Sequence, residues 1–472
     1  MSTTKKIAHN TIIQLIGKII STFLGLIAIG MMTRYLGQEQ FGWYTTAIYF
    51  LQFVGILIDF GMIPVTAQML SEGRFEKTTL FQNIFTFRLV TACLCLATVP
   101  FVILLFPYTT EIRHAVSIIT ISFIAIALNQ VATGLLQYKL NMHIQAIAEV
   151  MSRIVLVVGL WAVIKGSYGF LPLMWVITVA SIAHTAYLLY GVNKIQPLRF
   201  SYDRLIWKAI MVKMWPIAIS IIFNVMYLKG DAIILSLVRS ASEVGLYGAA
   251  YRVIDLVSQT AMLLMGLLLP LLGFAYAQSD HSLFSKRYQQ SFDGMMMMAI
   301  PMVAGLYMLA TPIMTLVAGA EFSAAGVPLQ ILSLAIFGLY LGSIFGHVAV
   351  AIDQQKKTMW IYILGAGITL IGYLYFIPRF GMLGAAWMSV FSELLVGVLL
   401  FIVVHRILGE RLSYKTFFKV CMATALMCVA LWFFAHLHTL MRIGMAIAIY
   451  AVVLYALGGI KKQTLVEIFS RS

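Results

Sequence analysis

Long apolar runs repeat along the chain, and they limit the possible folds more than any other feature. We count about fourteen runs of roughly 20 residues, the length that an α-helix needs to cross a hydrocarbon core about 30 Å thick. Only 10% of the 472 residues are charged, too few for the surface of a soluble domain of this size. We find no alternating segments of about ten residues, which would indicate a membrane barrel. The sequence therefore predicts an all-α polytopic membrane protein.

The expected transmembrane helices follow one another with short connections. They lie near residues 11–33, 41–66, 83–106, 115–137, 144–164, 170–192, 214–238, 246–272, 292–316, 327–352, 358–377, 385–404, 416–435 and 442–460. The first run continues past Gly30 without a small-residue cleavage site, so we interpret it as a retained helix and not as a signal peptide.

The distribution of basic residues predicts the orientation of these helices. The formal net charge of +15 would suggest a nucleic-acid partner in a soluble protein, but no such binding motif is present and no nucleic acid is expected. The loops on one side of the membrane carry 21 Lys and Arg residues, and those on the other side carry six. The positive-inside rule therefore predicts a multi-pass membrane protein with both termini cytoplasmic. The most basic loop, 193–213, is expected to place an amphipathic stretch in the headgroup layer.

An internal repeat divides the chain into two halves. Residues 41–51 read FGWYTTAIYFL and residues 244–254 read VGLYGAAYRVI, and a weaker echo, FGMLGAA, lies at 380–386. Six spans separate the first two segments, an even number, so the halves have the same orientation. Parallel repeats of this kind are a feature of transporters, in which the substrate path runs between the halves.

Ionisable residues inside the spans are the candidates for function. Each costs about 2.5–3.5 kcal/mol at the bilayer centre on insertion scales, so it normally faces a cavity or a partner. Lys229 and Arg252 are the best candidates for a cavity, and Lys229 lies too deep to reach the interface easily. Cationic side chains in such a cavity would bind phosphate oxygens. An alternative stays open, since Glu149 with Arg153 and Arg252 with Asp255 have the spacing of local ion pairs on one helix face.

Several sequence motifs are similar to those of a known family. They are TRYLGQEQFGWYTTA (33–47), DFGM (59–62), KGDAIILSLVRSASEVGLYGAAYRV (229–253) and IPRFGMLGAAW (377–387). Together they resemble the bacterial polysaccharide transporter family, which includes flippases for O-antigen and other lipid-linked oligosaccharides. This family belongs to the superfamily of multidrug, oligosaccharidyl-lipid and polysaccharide exporters.

The resemblance implies a fold of two parallel six-helix bundles in a V plus two C-terminal helices. The expected domains are an N-terminal bundle (1–195), a basic amphipathic linker (196–213), a C-terminal bundle (214–409), and two further helices with a cytoplasmic tail (410–472).

The resemblance also implies an activity and a site. The activity is alternating-access, ion-coupled flipping of an undecaprenyl-diphosphate-linked oligosaccharide from the cytoplasmic to the periplasmic leaflet. The residues expected at the cationic substrate cavity are Arg88, Arg153, Lys229 and Arg252, and those expected in ion coupling are Glu149, Asp231, Asp255 and Glu393. The expected partners are the lipid-linked substrate, membrane lipids, a polysaccharide polymerase and a chain-length regulator.

Other functions remain as alternatives. A multidrug exporter or a peptidoglycan-precursor flippase of the same superfamily would share the fold, and a non-transporting polysaccharide-assembly protein would share the membrane location. An enzyme is not expected, because the sequence has no phosphate-binding loop, no metal-binding helix motif and no nucleophile elbow. For the same reason we expect neither a cofactor nor a metal.

Overall fold

The structure, a computed structural model, describes residues 3–59, 62–410 and 412–459. Within these ranges, nothing is described of the side chains at 3–12, 15, 56–59, 64, 216–228 and 267. Phe60 and Gly61 of the DFGM motif and the expected tail from residue 460 onward lie outside the described residues.

Every regular element in the described part of the chain is helical. The α-helices are α1 (Thr3–Asp59), α2 (Met62–Glu72), α3 (Lys77–Ala97), α4 (Val99–Val102), α5 (Thr110–Lys139), α6 (His143–Lys165), α7 (Phe170–Ile195), α8 (Arg204–Val238), α9 (Ala241–Ala277), α10 (His281–Ala318), α11 (Gly326–Ala351), α12 (Gln355–Leu408), α13 (Lys415–Phe433) and α14 (Thr439–Ala456).

The all-α membrane fold and its fourteen spans are confirmed. Eleven helical stretches in the described residues are long and apolar enough to cross a membrane. Two of them, in α1 and α12, each contain two expected spans, and α8 supplies the remaining one. The chain is therefore a multi-pass membrane protein.

Two of the expected loops are replaced by sharp kinks. The helix α1 turns at Gly37 (φ 63°) and α12 turns at Gly381 (φ 58°), and helical geometry resumes directly after each glycine. A positive φ is strained for a residue with a Cβ atom and is readily adopted by glycine. The expected helices on both sides of each glycine are therefore present, and a single non-helical residue joins them where loops were expected near residues 34–40 and 378–384.

The first compact unit, Met1–Gly245, contains α1 to α8 and the first turn of α9. Its core is formed by apolar side chains from α2, α3, α5, α7 and α8, among them Met62, Phe81, Leu135 and Leu188. The helix α8 packs on α1, α2 and α3 within this unit. This division falls at a different place from the expected boundaries at 195 and 214, and those domain boundaries remain a prediction.

The glycines of the first two repeat segments lie against each other inside the first unit. A Cβ atom on Gly42 would overlap the carbonyl of Ala241, and one on Gly245 would overlap the carbonyl of Gln38. The same Cβ on Gly245 would lie 3.0 Å from the backbone nitrogen of Gly42. The matching Gly positions in the two repeats therefore allow the post-kink part of α1 and the start of α9 to touch through their backbones.

The second compact unit, Leu246–Ser472, contains the rest of α9 and α10 to α14. Its central packing is between α11 and both arms of α12, where Gly338 approaches the backbone at Glu393. The two C-terminal helices α13 and α14 pack on each other and on α10 through small apolar clusters that include Met427 and Leu454.

Candidate functional site

The clearest charged feature within a span is the contact between α1 and α6. These helices run parallel, since Gly17 meets Ala146 and Gly25, two turns further along, meets Arg153. Between these contacts, Lys18 Nζ lies 3.2 Å from Glu149 Oε1. Small residues at the contact let the two backbones approach closely, which brings short polar side chains within reach of the neighbouring helix. We call this contact the α1–α6 seam.

One carboxylate oxygen of Glu149, Oε1, is engaged twice by α1. In addition to the ion pair with Lys18, it accepts a hydrogen bond of 2.8 Å from Ser21 Oγ. The side chains of Lys18 and Glu149 are 38% and 24% exposed, so the pair is neither sealed nor fully open. The local pair of Glu149 with Arg153, which the spacing allowed, is not the one that forms.

Arg153 is the cation of the seam that keeps its charge unneutralised. Its side chain is half-buried, and its Cζ lies 3.9 Å from the position that a Cβ on Gly25 would occupy. Among the residues that the structure describes, Arg153 has no hydrogen-bond or ion-pair partner. A partly accessible guanidinium inside a membrane span can bind an anionic group that reaches it.

A histidine on α7 completes the surroundings of the seam. His184 lies within electrostatic reach of both Glu149 and Arg153. Its Nε2 atom is buried and has no hydrogen-bond partner in the described part of the chain. Neither His184 nor Ser21 is among the residues that the sequence predicted at a functional site. The one signal available was the pair of small residues Gly17 and Gly25, which marks the tight face of α1.

Arg88 has a different environment. It is 2% exposed, its Nε donates to the carbonyl of Ala127 over 3.2 Å, and its Nη2 donates to Gln130 Oε1. Both partners lie on α5. The guanidinium therefore joins α3 to α5 inside the first unit, in keeping with the need of a buried charge for hydrogen-bond partners.

The two charged residues in the expected span of α8, Lys229 and Asp231, are also engaged within the first unit. Lys229 Nζ lies 5.6 Å from the ring centroid of Tyr49, a cation–π distance. Asp231 is 1% exposed, and its Oδ1 accepts a hydrogen bond of 2.7 Å from the backbone N–H of Ala232. The first contact places Lys229 against α1, and the second lies within α8 itself.

The remaining candidates lie in the second unit. Arg252 and Asp255 are half-buried on α9, and Glu393 is half-buried on α12 where this helix meets α11. One turn before Glu393, the hydroxyl of Ser389 lies 3.3 Å from the hydroxyl of Tyr373. A buried polar cluster thus accompanies the acid.

The site candidates are therefore distributed over distinct surroundings. Arg88, Arg153 and Lys229 belong to the first unit. Arg88 is buried, Arg153 is half-buried, and Lys229 lies near the ring of Tyr49. Arg252 belongs to the second unit. The gathering of the four at one cavity remains a prediction.

Comparison with known proteins identifies the family. The family described as polysaccharide biosynthesis protein matches residues 7–275, which include α1 to α8 and the whole α1–α6 seam. The chain belongs to this family. No curated protein matches the chain. The membership confirms the resemblance that the sequence motifs indicated.

Solved structures of the same fold come from transporters. The lipid II flippase MurJ in an inward closed conformation superposes with a TM-score of 0.79 at 16% identity, over 94% of this chain and 98% of its own. An inward-facing MATE multidrug transporter of the MOP superfamily gives 0.69 at 14% identity, over 84% and 98%. A MOP-superfamily transporter from Pyrococcus furiosus, whose binding pocket is described as having reverse polarity, gives 0.60 at 14% identity, over 86% and 96%. The polysaccharide biosynthesis family member described here has this fold.

Proposed function

We propose that the protein is a flippase that moves an undecaprenyl-diphosphate-linked oligosaccharide from the cytoplasmic to the periplasmic leaflet of the inner membrane. The observation that carries the proposal is the family match over residues 7–275. Within that range lies Arg153, a membrane-embedded cation without an acidic partner among the described residues. The fold shared with a lipid II flippase agrees with this assignment.

The chemistry of the substrate explains the need for embedded positive charge. A diphosphate cannot enter hydrocarbon without a compensating partner, because an isolated ion there carries a large desolvation cost. A guanidinium offers phosphate oxygens two parallel hydrogen bonds, and an ammonium offers a point charge. In the proposal, Arg153 supplies such a guanidinium at the cationic cavity, and Arg88, Lys229 and Arg252 are the further candidates there. The lipid tail of the substrate stays in the bilayer.

The proposal includes alternating access driven by an ion. The acids that would carry the coupling are Glu149, Asp231, Asp255 and Glu393. Among these, Glu149 is the best supported, because it shares its carboxylate between Lys18 and Ser21 and lies within electrostatic reach of His184. Protonation of such a carboxylate would release Lys18 and change the charge around Arg153. A polysaccharide polymerase and a chain-length regulator are the proposed protein partners.

Deletion and complementation test the proposal in a host that makes a defined surface polysaccharide. We expect deletion to remove the surface polymer and to accumulate lipid-linked repeat units on the cytoplasmic side. The intact gene should restore the polymer, and Lys229→Ala or Arg252→Ala should fail to restore it while reaching the membrane in normal amount. A deletion strain that keeps normal surface polymer would contradict the flippase assignment, and full complementation by both variants would contradict the cavity assignment.

The orientation is tested separately. Reporter fusions after Asp280 should be active as cytoplasmic fusions, and fusions after Glu321 should be active as periplasmic ones, because the basic loops lie on the first side. The opposite pattern would reverse the direction of transport in the proposal.

A second candidate is a flippase for a peptidoglycan precursor. It is favoured by the TM-score of 0.79 with the lipid II flippase MurJ. Rescue of a strain depleted of its lipid II flippase would support this candidate, and failure to rescue, together with restored surface polymer in the deletion strain, would support the first.

A further inference from the structure

The segment between α7 and α8, residues 196–203, is fixed to the first unit by hydrogen bonds. Hydrogen bonds tie it to α3 at both ends: Gln196 Nε2 donates to Thr78 Oγ1 over 3.0 Å, and the backbone N–H of Asp203 donates to Asn83 Oδ1 over 2.6 Å. Further contacts between them are Gln82 Nε2 to the carbonyl of Pro197 at 3.1 Å, Asn83 Nδ2 to Ser201 Oγ at 3.0 Å and Ser201 N to Thr86 Oγ1 at 3.0 Å. Side chains on this segment therefore have defined directions.

The first turns of α8 have two opposite faces. Ile206, Ile210 and Met214 are almost completely buried in the core of the first unit. The residues of the opposite face follow the same helical spacing and are exposed: Leu205 is 73% exposed and Trp215 is 68% exposed. We call the outward set the linker face; it consists of Arg199, Phe200, Tyr202, Arg204, Leu205, Lys208, Met211, Val212 and Trp215, all exposed.

The basic residues of the linker face are not neutralised by the acids next to them. Asp203 points into the start of α8, where its Oδ1 accepts the backbone N–H of Leu205 over 2.8 Å. Glu72 pairs with Lys213, and this hydrogen bond lowers the pKa of the Glu72 carboxyl. Hydrogen bonds from Thr79 and Thr78 at the start of α3 hold the pKa of Glu76 at about 2. These acids stay ionised but are directed elsewhere.

Aromatic side chains accompany the basic ones on this end of the unit. Phe200 is 75% exposed and Tyr202 is 68% exposed. Nearby, Lys194 Nζ lies 4.3 Å from the ring centroid of Tyr190, and Lys77 Nζ lies 5.3 Å from that of Tyr138. Large apolar groups beside unneutralised cations are the composition of helices that lie in the headgroup layer.

The occupant of the linker face follows from its position and charge. The helix α8 continues from this face into its membrane-spanning part, so the face lies at the depth of the headgroups. There the exposed rings reach the acyl boundary while the guanidinium and ammonium groups meet phosphates. We propose that the linker face is a docking site for the headgroups of anionic phospholipids, with Arg199, Arg204 and Lys208 as the phosphate ligands and Trp215 as the apolar anchor. The proposal does not depend on the transported substrate.

Trp215 gives a direct reading of this site. The purified full chain is placed in nanodiscs with increasing fractions of brominated phosphatidylglycerol or brominated phosphatidylcholine, and the Trp215 signal is the difference from Trp215→Phe. We expect Trp215 to be quenched at a much lower fraction of phosphatidylglycerol than of phosphatidylcholine. Equal quenching by the two lipids would overturn the proposal, and so would a Trp215 that neither lipid quenches, since a protein would then cover the face.

A matched pair of charge variants completes the test. The midpoint is the fraction of brominated phosphatidylglycerol that gives half of the maximal Trp215 quenching. In Arg199→Gln/Arg204→Gln/Lys208→Gln, this midpoint should rise by about tenfold or more, because each surface cation contributes to anionic-lipid binding. The control Lys286→Gln/Lys356→Gln/Lys357→Gln removes three exposed basic residues of the second unit and should leave the midpoint unchanged. If the midpoint shifts equally in both triple variants, the effect is explained by the net charge of the protein, and the proposal of a docking site at the linker face is overturned. Competition by inorganic phosphate would indicate a soluble anion as the ligand, which would also overturn it.

Discussion

Arg88 and Arg153 are arginines of the same unit, both inside membrane-spanning helices, and their surroundings differ completely. Arg88 lies between α3 and α5, is 2% exposed, and donates to Ala127 and Gln130. Arg153 lies on the α1–α6 seam, is half-buried, and has no hydrogen-bond or ion-pair partner among the described residues, while Glu149 one turn away is engaged by Lys18 and Ser21. An embedded arginine is therefore structural or available according to what the neighbouring helix offers it.

The difference shows how a membrane protein can keep a free cation inside the bilayer. Lys18 occupies the one carboxylate that could neutralise Arg153 from its own helix. The seam thus holds two cations and one anion, and the excess positive charge lies on the guanidinium. At α3 and α5, by contrast, the carbonyl of Ala127 and Oε1 of Gln130 accept hydrogen bonds from the buried guanidinium.

The largest effect is expected at Arg88. Arg88→Ala should destabilise the folded protein by about 2–4 kcal/mol, since it leaves a cavity and removes the donors to the buried carbonyl of Ala127 and to the half-buried Gln130. The measurement is the free energy of unfolding in mixed micelles together with the yield of membrane-inserted protein. Arg74→Ala is the control, because Arg74 is exposed and only lies over the ring of Phe75 at 5.4 Å. If Arg88→Ala is stable but has lost transport, Arg88 acts in transport as Arg153 does, and the two arginines do not differ in role.

The next effect is expected at Arg153, on transport and not on stability. Arg153→Ala should lower the transport rate by about tenfold or more, because one charge-assisted hydrogen bond contributes about 1.5–3 kcal/mol. Arg153→Lys should keep part of the rate, since it retains the charge and loses the fork. Flipping assays and thermal unfolding of the same preparations give both quantities. A fall in the unfolding midpoint as large as that of Arg88→Ala would mean that Arg153 is structural as well.

A smaller effect is expected from Lys18. In Lys18→Ala, Glu149 should turn to Arg153 one helical turn away and reduce transport by a few-fold. Adding Glu149→Gln should restore part of the rate of exchange measured without an ion gradient, because the competing carboxylate is then neutral and ion coupling is not required. The double-mutant cycle of transport rates measures this coupling. Strict additivity of the two changes would show that Glu149 does not control Arg153.

The smallest effect is expected at the surface pair of Lys213 and Glu72. Their side chains are 27% and 39% exposed, so water screens the interaction. Either residue changed to Ala should alter the free energy of unfolding by less than about 1 kcal/mol. A loss of unfolding free energy as large as that of Arg88→Ala would contradict the view that burial and neighbouring groups determine how much a charged residue contributes to the stability of this unit.

The spans were predictable, because hydrocarbon thickness fixes the length of an apolar helix whatever its neighbours are. The kinks at Gly37 and Gly381 were not, because a turn of one residue leaves no polar loop to recognise. The repeat indicated that Gly42 and Gly245 are equivalent but gave no sign that they touch.

The candidate site was less predictable than the helices. Spacing along one helix suggested a pair of Glu149 with Arg153, whereas the pair that forms joins residues 131 positions apart in the chain. Such a contact depends on the register between two helices, which is set by the packing of Gly17 on Ala146. Burial of Arg88 likewise depends on α5, and nothing in the sequence around Arg88 shows it.

The most direct test of this account is a flipping assay in proteoliposomes that contain only the purified chain and a fluorescent diphosphate-linked oligosaccharide lipid. A membrane-impermeant quencher reports the fraction of substrate in the outer leaflet over time. The account predicts rapid exchange with the unaltered chain and an initial rate lower by about tenfold or more with Arg153→Gln. No exchange with the unaltered chain under any imposed ion gradient, or an equal rate with Arg153→Gln, would contradict it.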